Sequence, residues 1–514
     1  MKKINVFLTG MVLALLLFTS CDKETSNSTG WAYNDPRNGG FEYVYYDEQE
    51  TGPGLVFIEG GTFSMGLHEQ DVMYDWNEIQ RRVTVSSFYM DETEVKNVDY
   101  REYLYWLRRV YIDYPEVYKK ALPDTLVWRK KLGYNEPQVE YYFRHPAYQN
   151  YPVVGVNWLQ ANNYCAWRTD RVNEMIMIRE GLMYWDPVGQ TGEENFNTDA
   201  YFAGQYEGAV RQQIEDLDPN NDFRKVRMED GIMLPKYRLP TEAEWEFAAL
   251  GLIGNMLAEE RIFDQRIYPW NGHYIRMDDK SGYGSDNVGQ IRANVVRGRG
   301  DYMGTAGSLN DAFDITSPVD AMWPNDYGLY AMAGNVNEWV MDVYRNLTTE
   351  DANEFRPFRG NVYKTQIRDE EGAIAEKDTL GHIQWRDVTD EEAFNRYNYN
   401  TADNINYLDG DFESSLEYRD ESANKDNTNS DRVYDVGKKS QFGNWHNKAT
   451  NYRGHPDAQT MIDNRARVYK GGGWHDRAYW MSPGTRRFLD QEQSRDDIGF
   501  RCAMFRVGSQ VSGI

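Results

Sequence analysis

Apolar and polar positions along the chain fall into a few short periodic stretches separated by long polar ones. Gly54 to Gly66 holds two extended runs, Leu55-Val56-Phe57-Ile58 and Thr62-Phe63-Ser64-Met65, on either side of Gly60-Gly61, and this predicts a hairpin. Arg82 to Met90 alternates as a half-buried strand. Asn97 is placed to cap a helix carrying Tyr100, Tyr103, Leu104, Leu107 and Val110 on one side. Pro152 to Val156 reads as a short buried strand. Asn157 then caps a second helix with Trp158, Ala161, Tyr164, Cys165 and Arg168 at helical spacing. The densest signal is Arg238-Leu239-Pro240-Thr241-Glu242-Ala243-Glu244-Trp245-Glu246-Phe247-Ala248-Ala249. Thr241 with Glu244 three residues on makes a capping box, and Pro240 stiffens the entry. Trp245, Ala248 and Ala249 form an apolar stripe, and Gly251 closes the C-terminus. This predicts an amphipathic helix. Between these stretches, about 171–236 is acidic and irregular. About 346–464 is polar, rich in Asp, Glu and Asn, and reads as a surface excursion, partly ordered at best. No internal repeat of solenoid or propeller period is present.

The N-terminus changes the picture. Lys2 and Lys3 precede a short apolar run, Val6 to Phe18, which ends at Leu17-Phe18-Thr19-Ser20-Cys21. The pattern predicts a lipoprotein signal peptide over 1–20, with Cys21 acylated and anchoring the chain to a membrane. A plain secretory signal is the alternative. A polar tether and an aromatic arm follow over 21–53. The formal net charge of −25 excludes nucleic acid as a partner and any broad electrostatic grip on anionic lipid. Aromatic residues make up 14% of the chain, too many for a disordered protein, and core packing accounts for most of them. Beyond Cys21 only Cys165 and Cys502 remain, which leaves a disulfide or two buried thiols. The seven His residues show no zinc-binding spacing. Gly298-Arg299-Gly300 is not set between a strand and a helix, as a phosphate loop would be. The acidic residues at 91–94 read as caps and ion-pair partners rather than a catalytic dyad.

The Thr241 helix resembles the hallmark of the formylglycine-generating-enzyme (sulfatase-modifying factor) family. The other motifs follow in that family's order: the run at 54–66, Phe88 to Val95, the Asn157 helix, Ala333 to Val340, Lys470-Gly471-Gly472-Gly473-Trp474, and Gly499 to Ala503. The resemblance implies a loop-rich α+β domain, related to C-type lectins and low in regular secondary structure. It would span 54–507 with the two insertions, followed by a tail at 508–514. The family's two copper-binding cysteines follow the Gly-Gly turn, and here Asp476 and Met481 stand in their places. A carboxylate and a thioether do not replace two thiolates as Cu(I) ligands, so no copper and no catalysis are expected. The resemblance also implies a Cys165–Cys502 disulfide and a structural calcium on Asn294, Val295, Asp311 and Phe313. A second family calcium site matches Gly334, Val336 and Glu338, but its first ligand falls on Ala331, which has no donor side chain.

A narrower resemblance covers almost the whole mature chain. Its marks are Gly30 to Pro36 just after Cys21, Asp91 to Val95 running to Tyr103 to Leu107, Pro152 to Trp158 running to Trp167 to Glu174, and Val468 to Gly472 running to Asp476 to Trp480. These resemble the gliding-motility lipoproteins of Bacteroidota, of the GldJ type and its sister GldK. The resemblance implies a non-catalytic, periplasm-facing outer-membrane lipoprotein, a component of the gliding and type IX secretion machinery. Its partners would be the other lipoproteins and outer-membrane components of that machine, in a larger oligomeric assembly. The competing expectations are a glycan- or peptide-binding module on the same scaffold and, third, a formylglycine-generating oxidase.

Overall fold

The two runs at 54–66 do form strands in the computed structural model, but they do not pair with each other. β1 (Leu55–Ile58) pairs with β4 (Phe88–Asp91), and β2 (Gly61–Met65) pairs with β3 (Arg81–Val85), both antiparallel. Both pairings keep one register, Ile58 opposite Phe88 and Gly61 opposite Val85, so 55–65 and 81–91 form a single ribbon with a bend at the glycines. Gly60 makes the bend possible: a Cβ there would stand 2.4 Å from the Val85 carbonyl oxygen. The glycine pair is therefore a kink within the ribbon, and the predicted turn is corrected accordingly.

The structure describes residues 24–46, 48–67, 80–130, 133–211, 214–251, 266–277, 288–296, 313, 315–344, 364–388 and 465–508. The predicted signal peptide, Cys21, Asp311, Gly298-Arg299-Gly300 and most of 346–464 lie outside them. Among the described residues no helix is long and apolar enough to cross a membrane. The chain divides into two compact units. The first comprises Met1–Glu48, Ile176–Trp185 and Ala209–Met233, and the second the remainder.

The first unit holds a small antiparallel pair, β5 (Ile214–Glu215) with β6 (Phe223–Arg224). The second unit is built on two four-stranded sheets. One has the order β1-β4-β14-β7, with β7 at Tyr237–Arg238 and β14 at Ala503–Phe505. The other has the order β12-β11-β8-β13, from β8 (Asn337–Val343), β11 (Ala466–Lys470), β12 (Arg487–Asp490) and β13 (Ile498–Gly499). Only the β13–β8 pair in these sheets is parallel.

Three helices position the rest. α1 (Asn97–Val110) buries the predicted face, Tyr100, Tyr103, Leu104, Leu107 and Val110. Asn97 does not cap it. Asp99 accepts from the Lys96 N–H, and the Asn97 amide turns inward to donate to the Tyr142 and Tyr148 carbonyls. α2 (Trp158–Arg179) is capped as predicted, with Asn157 and Gln160 exchanging hydrogen bonds of 2.8 and 2.9 Å. α3 (Glu242–Leu250) has the predicted Thr241–Glu244 capping box and a left-handed Gly251 at its end. It is not amphipathic, because all nine of its residues are buried, three glutamates included. Its apolar side joins one core cluster with Ile58, Phe63, Phe88, Met90, Val340, Val468 and Ala503, to which both sheets contribute.

The described part of the second insertion is an ordered hairpin, β9 (Lys364–Gln366) with β10 (Trp385–Asp387). Polar side chains dock its loop. Gln205 donates to the Ile374 and Ala375 carbonyls and accepts from the Lys377 N–H, while Asn195 and the Tyr111 hydroxyl both reach the Leu380 carbonyl. A polar composition hid these contacts, because they are hydrogen bonds rather than apolar packing.

Candidate functional site

Two groups of charged residues surround the Thr241 helix and the glycine turn. The first is sealed. Glu242 and Glu246, one helical turn apart, face Lys470 at the end of β11 and Arg486 just before β12. Lys470 Nζ lies 3.2 Å from Glu242 Oε1 and 2.8 Å from Glu246 Oε2. Arg486 forks onto Glu242 through Nε at 2.7 Å and Nη2 at 2.9 Å. These side chains are at most 1% exposed, and two cations balance two anions. Burial would raise the Glu242 carboxyl, yet Arg486 and Lys470 outweigh it and hold it at about 2. Burial prevails at Glu246, whose carboxyl is raised although Lys470 and the Gly66 N–H oppose the shift. Beside them, Arg501 grips Glu338 with two bonds of 2.6 Å, and the Trp245 indole N–H donates to Glu338 at 2.7 Å. Glu94 accepts from the Asn335 amide at 2.6 Å and from the Val336 N–H at 3.2 Å. Burial and the neighbouring Glu338 charge raise its carboxyl well above the ordinary range.

The second group lies at the glycine turn after β11, which holds Asp476 and Met481. Gly471 and Gly472 take left-handed conformations, at φ 97° and 71°, which turn the chain sharply after β11. Asp476 caps this turn, accepting from the Gly473 N–H at 2.8 Å. Arg487 clamps both Asp476 oxygens at 2.8 and 2.6 Å, and Asn337 donates to Asp476 and to Asp497. Burial raises the Asp476 carboxyl, but the Arg487 bonds and charge prevail and lower it. Arg495 pairs with Asp497 at 2.9 Å, and Lys130 with Asp496 at 2.8 Å. The His475 ring stands 3.4 Å from Asp496 and 3.7 Å from Asp497. Ligand atoms of His475, Asp476 and Asp497 lie within 4.8 Å of one another, a spacing that a divalent cation could use. Such a cation would have to displace Arg487 from Asp476 and Arg495 from Asp497, so the charge there is already neutralised from within. Met481 is fully buried among Tyr268, Ala293, Val295 and Ala333. A Cβ on Gly472 would stand 2.8 Å from the Met481 sulfur, so the thioether fills the inside of the turn. Neither residue fits a Cu(I)–thiolate centre; both are used structurally.

The other predicted residues are placed as follows. Cys165 on α2 and Cys502 ahead of β14 bring their sulfurs to 3.2 Å as buried free thiols, and burial pushes the Cys502 thiol well up. Asn294 and Val295 are buried, and the Asn294 amide donates to the Ile315 carbonyl at 2.8 Å. Phe313 is half-buried, and Asp311 lies outside the described residues. Gly334 donates to the Gly471 carbonyl, and Glu338 is held by Arg501 and Trp245, so both oxygens of the carboxylate assigned to a second calcium already carry donors. Asp91 pairs with Arg168 at 2.7 Å and accepts from the Cys502 N–H, in keeping with the ion-pair reading of 91–94. The sequence reading missed the roles of Lys470, Arg486 and Arg501. The available signal was two glutamates at i and i+4 in a helix otherwise too apolar to face water. Near the turn, Trp270, Arg292, Trp323, Met332 and Ala333 line a cavity of about 20 Å³, room for about one water.

The family model of the sulfatase-modifying factor enzyme 1-like domain matches residues 41–386. The chain belongs to this family. It is 26% identical to the mouse formylglycine-generating enzyme over 312 residues, 56% of this chain and 58% of that protein, so it spans little more than half the length of that relative. It is 25% identical to the bovine inactive C-alpha-formylglycine-generating enzyme 2 over 309 residues, 57% of this chain and 71% of that one. The solved structure of PvdO from Pseudomonas aeruginosa aligns over 88% of this chain and 93% of its own, at 14% identity and a TM-score of 0.37. The family thus holds proteins named as active and as inactive, and the mixed helix and strand content with long loops agrees with it.

Proposed function

We propose that this member of the family is a non-catalytic, lipid-anchored structural component of an outer-membrane machine, of the gliding-motility and type IX secretion kind. The observation that carries the reading is the state of the glycine turn after β11, where the family resemblance leads one to expect two thiolates. Asp476 is clamped by Arg487 and caps the turn, and Met481 is buried inside it. Redox chemistry on a cysteine substrate needs a thiolate-type metal ligand set, and these side chains supply none. The resemblance to GldJ-type lipoproteins and the Cys21 motif support the location in this reading: acylated at Cys21, in the outer membrane, facing the periplasm. Partners of this reading are the other lipoproteins and outer-membrane components of the machine. This reading expects two structural supports: a bridge formed on oxidation of the Cys165 and Cys502 thiols, which stand 3.2 Å apart, and a calcium on Asn294, Val295, Asp311 and Phe313. Reductant and EDTA should then each lower the melting temperature. The test is cross-linking in intact cells, purification through this protein and mass spectrometry of what is bound. Secretion and motility components should dominate, and loss of the protein should impair both processes. Intact secretion and gliding without it would overturn the reading.

A second reading is a binding module for glycan or peptide on a scaffold related to C-type lectins. Its support is the Tyr268–Trp270 stack at 5.1 Å beside Arg292 and the small cleft. A glycan and peptide screen that captures a ligand, with no machine components on the protein, would move it ahead.

A further inference from the structure

The first unit carries large apolar side chains on its surface. Trp31 is 59% exposed, Phe41 68%, Trp185 76%, Phe223 61% and Met228 76%, and all five belong to this one unit. The arm that presents Trp31 and Phe41 is built in place. The Asn34 N–H donates to the Phe41 carbonyl at 3.0 Å, and the Asn34 side chain accepts from the Tyr43 N–H at 2.8 Å. The Tyr33 ring stacks on Tyr43 at 5.1 Å and meets Phe41 at 5.7 Å. Gly40 lies so close to the loop between β5 and β6 that a Cβ would come within 1.9 Å of the Leu217 carbonyl oxygen. Glu42 accepts from the Leu217 N–H and pairs with Arg224. These aromatics are thus displayed by an ordered unit. Exposed large apolar groups crowded into three short segments make this unit a candidate for contact with an apolar surface.

The position of the surface along the chain selects its occupant. Glu24, the first described residue, is three residues after Cys21, so an extended chain separates them by at most about 11 Å. If acyl chains at Cys21 lie in a bilayer, the arm starts within the headgroup layer, where Trp, Tyr and Phe partition favourably. Residues 24–48 carry five acidic side chains and one basic, so charge does not draw this segment to anionic lipid. We infer that the exposed aromatic residues of this unit seat it in the lipid–water interface of the membrane that carries the anchor. The inference rests on the reading of Cys21 as acylated. Its consequence is a unit held flat at the membrane rather than swinging on a lipid tether.

Hydroxyl-radical footprinting of the full-length protein tests this. The protein is purified from membranes, its N-terminal peptide is weighed for acyl chains, and it is reconstituted into vesicles of three parts phosphatidylethanolamine to one part phosphatidylglycerol. A Cys21→Ser protein with the same vesicles is the reference. Oxidation at Trp31, Phe41, Trp185, Phe223 and Met228 should fall several-fold in the acylated protein, at low and at high salt alike and at every protein-to-lipid ratio. Unchanged oxidation in protein that is acylated and floats with the vesicles would overturn the inference and leave the anchor standing. Protection that rises with protein density would assign the surface to a second copy and overturn it too. A peptide without acyl chains would remove the anchor, and the inference with it.

Discussion

The two charged groups flanking the glycine turn make an instructive pair. Around α3, Glu242, Glu246, Lys470 and Arg486 are sealed from water. At the turn, Asp476, Arg487, Arg495 and His475 remain 11–37% exposed at their side chains, although Asp497 beneath them is fully buried. The sealed group ties a helix to both ends of the connection between β11 and β12. The group at the turn lies closer to the surface, and each of its acids is matched by a base. Removing a partner from the sealed group strands a charge with no access to solvent, while water can cover the same loss at the rim. The sealed group thus ties elements of the core together, while the group at the turn holds a surface bend in place.

The largest expected effect follows from breaking the sealed group. Lys470→Met removes from buried Glu246 its cation partner and from Glu242 one of its cations, and should cost about 3–5 kcal/mol. Urea denaturation would show it as a lower midpoint, or the chain would fail to accumulate folded. A midpoint within error of the parent would mean the group is not what holds α3. Next, Trp245→Phe removes the indole donor to Glu338 and some core volume, and should cost about 1–3 kcal/mol by the same measurement.

At the rim the same kind of change should be milder. Asp476→Ala frees Arg487, which is 16% exposed and lies over the Trp480 and Tyr469 rings, so a loss of about 1–2 kcal/mol is expected. A loss equal to that of Lys470→Met would erase the distinction between the two groups. The smallest effect is that of His475. Burial pulls its pKa down, but the Asp496 hydrogen bond and the Asp497 and Asp496 charges prevail and raise it. A raised folded pKa means a stabilising contribution that is fully present below the unfolded value of about 6.5 and lost as pH rises through the folded pKa. For a partly exposed pair this amounts to less than about 1 kcal/mol. Melting temperatures from pH 5.5 to 8.5 should carry that extra slope in the parent and lack it in His475→Gln.

The parts legible in the sequence were those fixed by neighbours along the chain. The Thr241 capping box, the Asn157–Gln160 exchange and the buried face of α1 are local patterns, and the structure has all three. Pairing between distant segments was not legible. The runs on either side of Gly60-Gly61 look like a hairpin because their true partner, 81–91, alternates just as well. Asn97 has the chemistry of a cap, but two carbonyls from 142 and 148 claim its amide. At the site, the side chains of Asp476 and Met481 could be read from the sequence, and with them the expectation that no thiolate pair stands at the turn. How those two side chains are held could not be read, because Arg487 and Gly472 reach them through space.

The most direct test of the central claim is an assay of the wild-type protein with Cu(I) and a cysteine-containing sulfatase peptide, read by mass spectrometry. The Asp476→Cys/Met481→Cys protein and an active family member serve as controls. No formylglycine should form on the peptide with the wild-type protein, and no stoichiometric Cu(I) should remain bound to it. Formylglycine above the no-protein blank would contradict the account, because it would mean that a turn held by Arg487 and filled by Met481 still performs the family's chemistry.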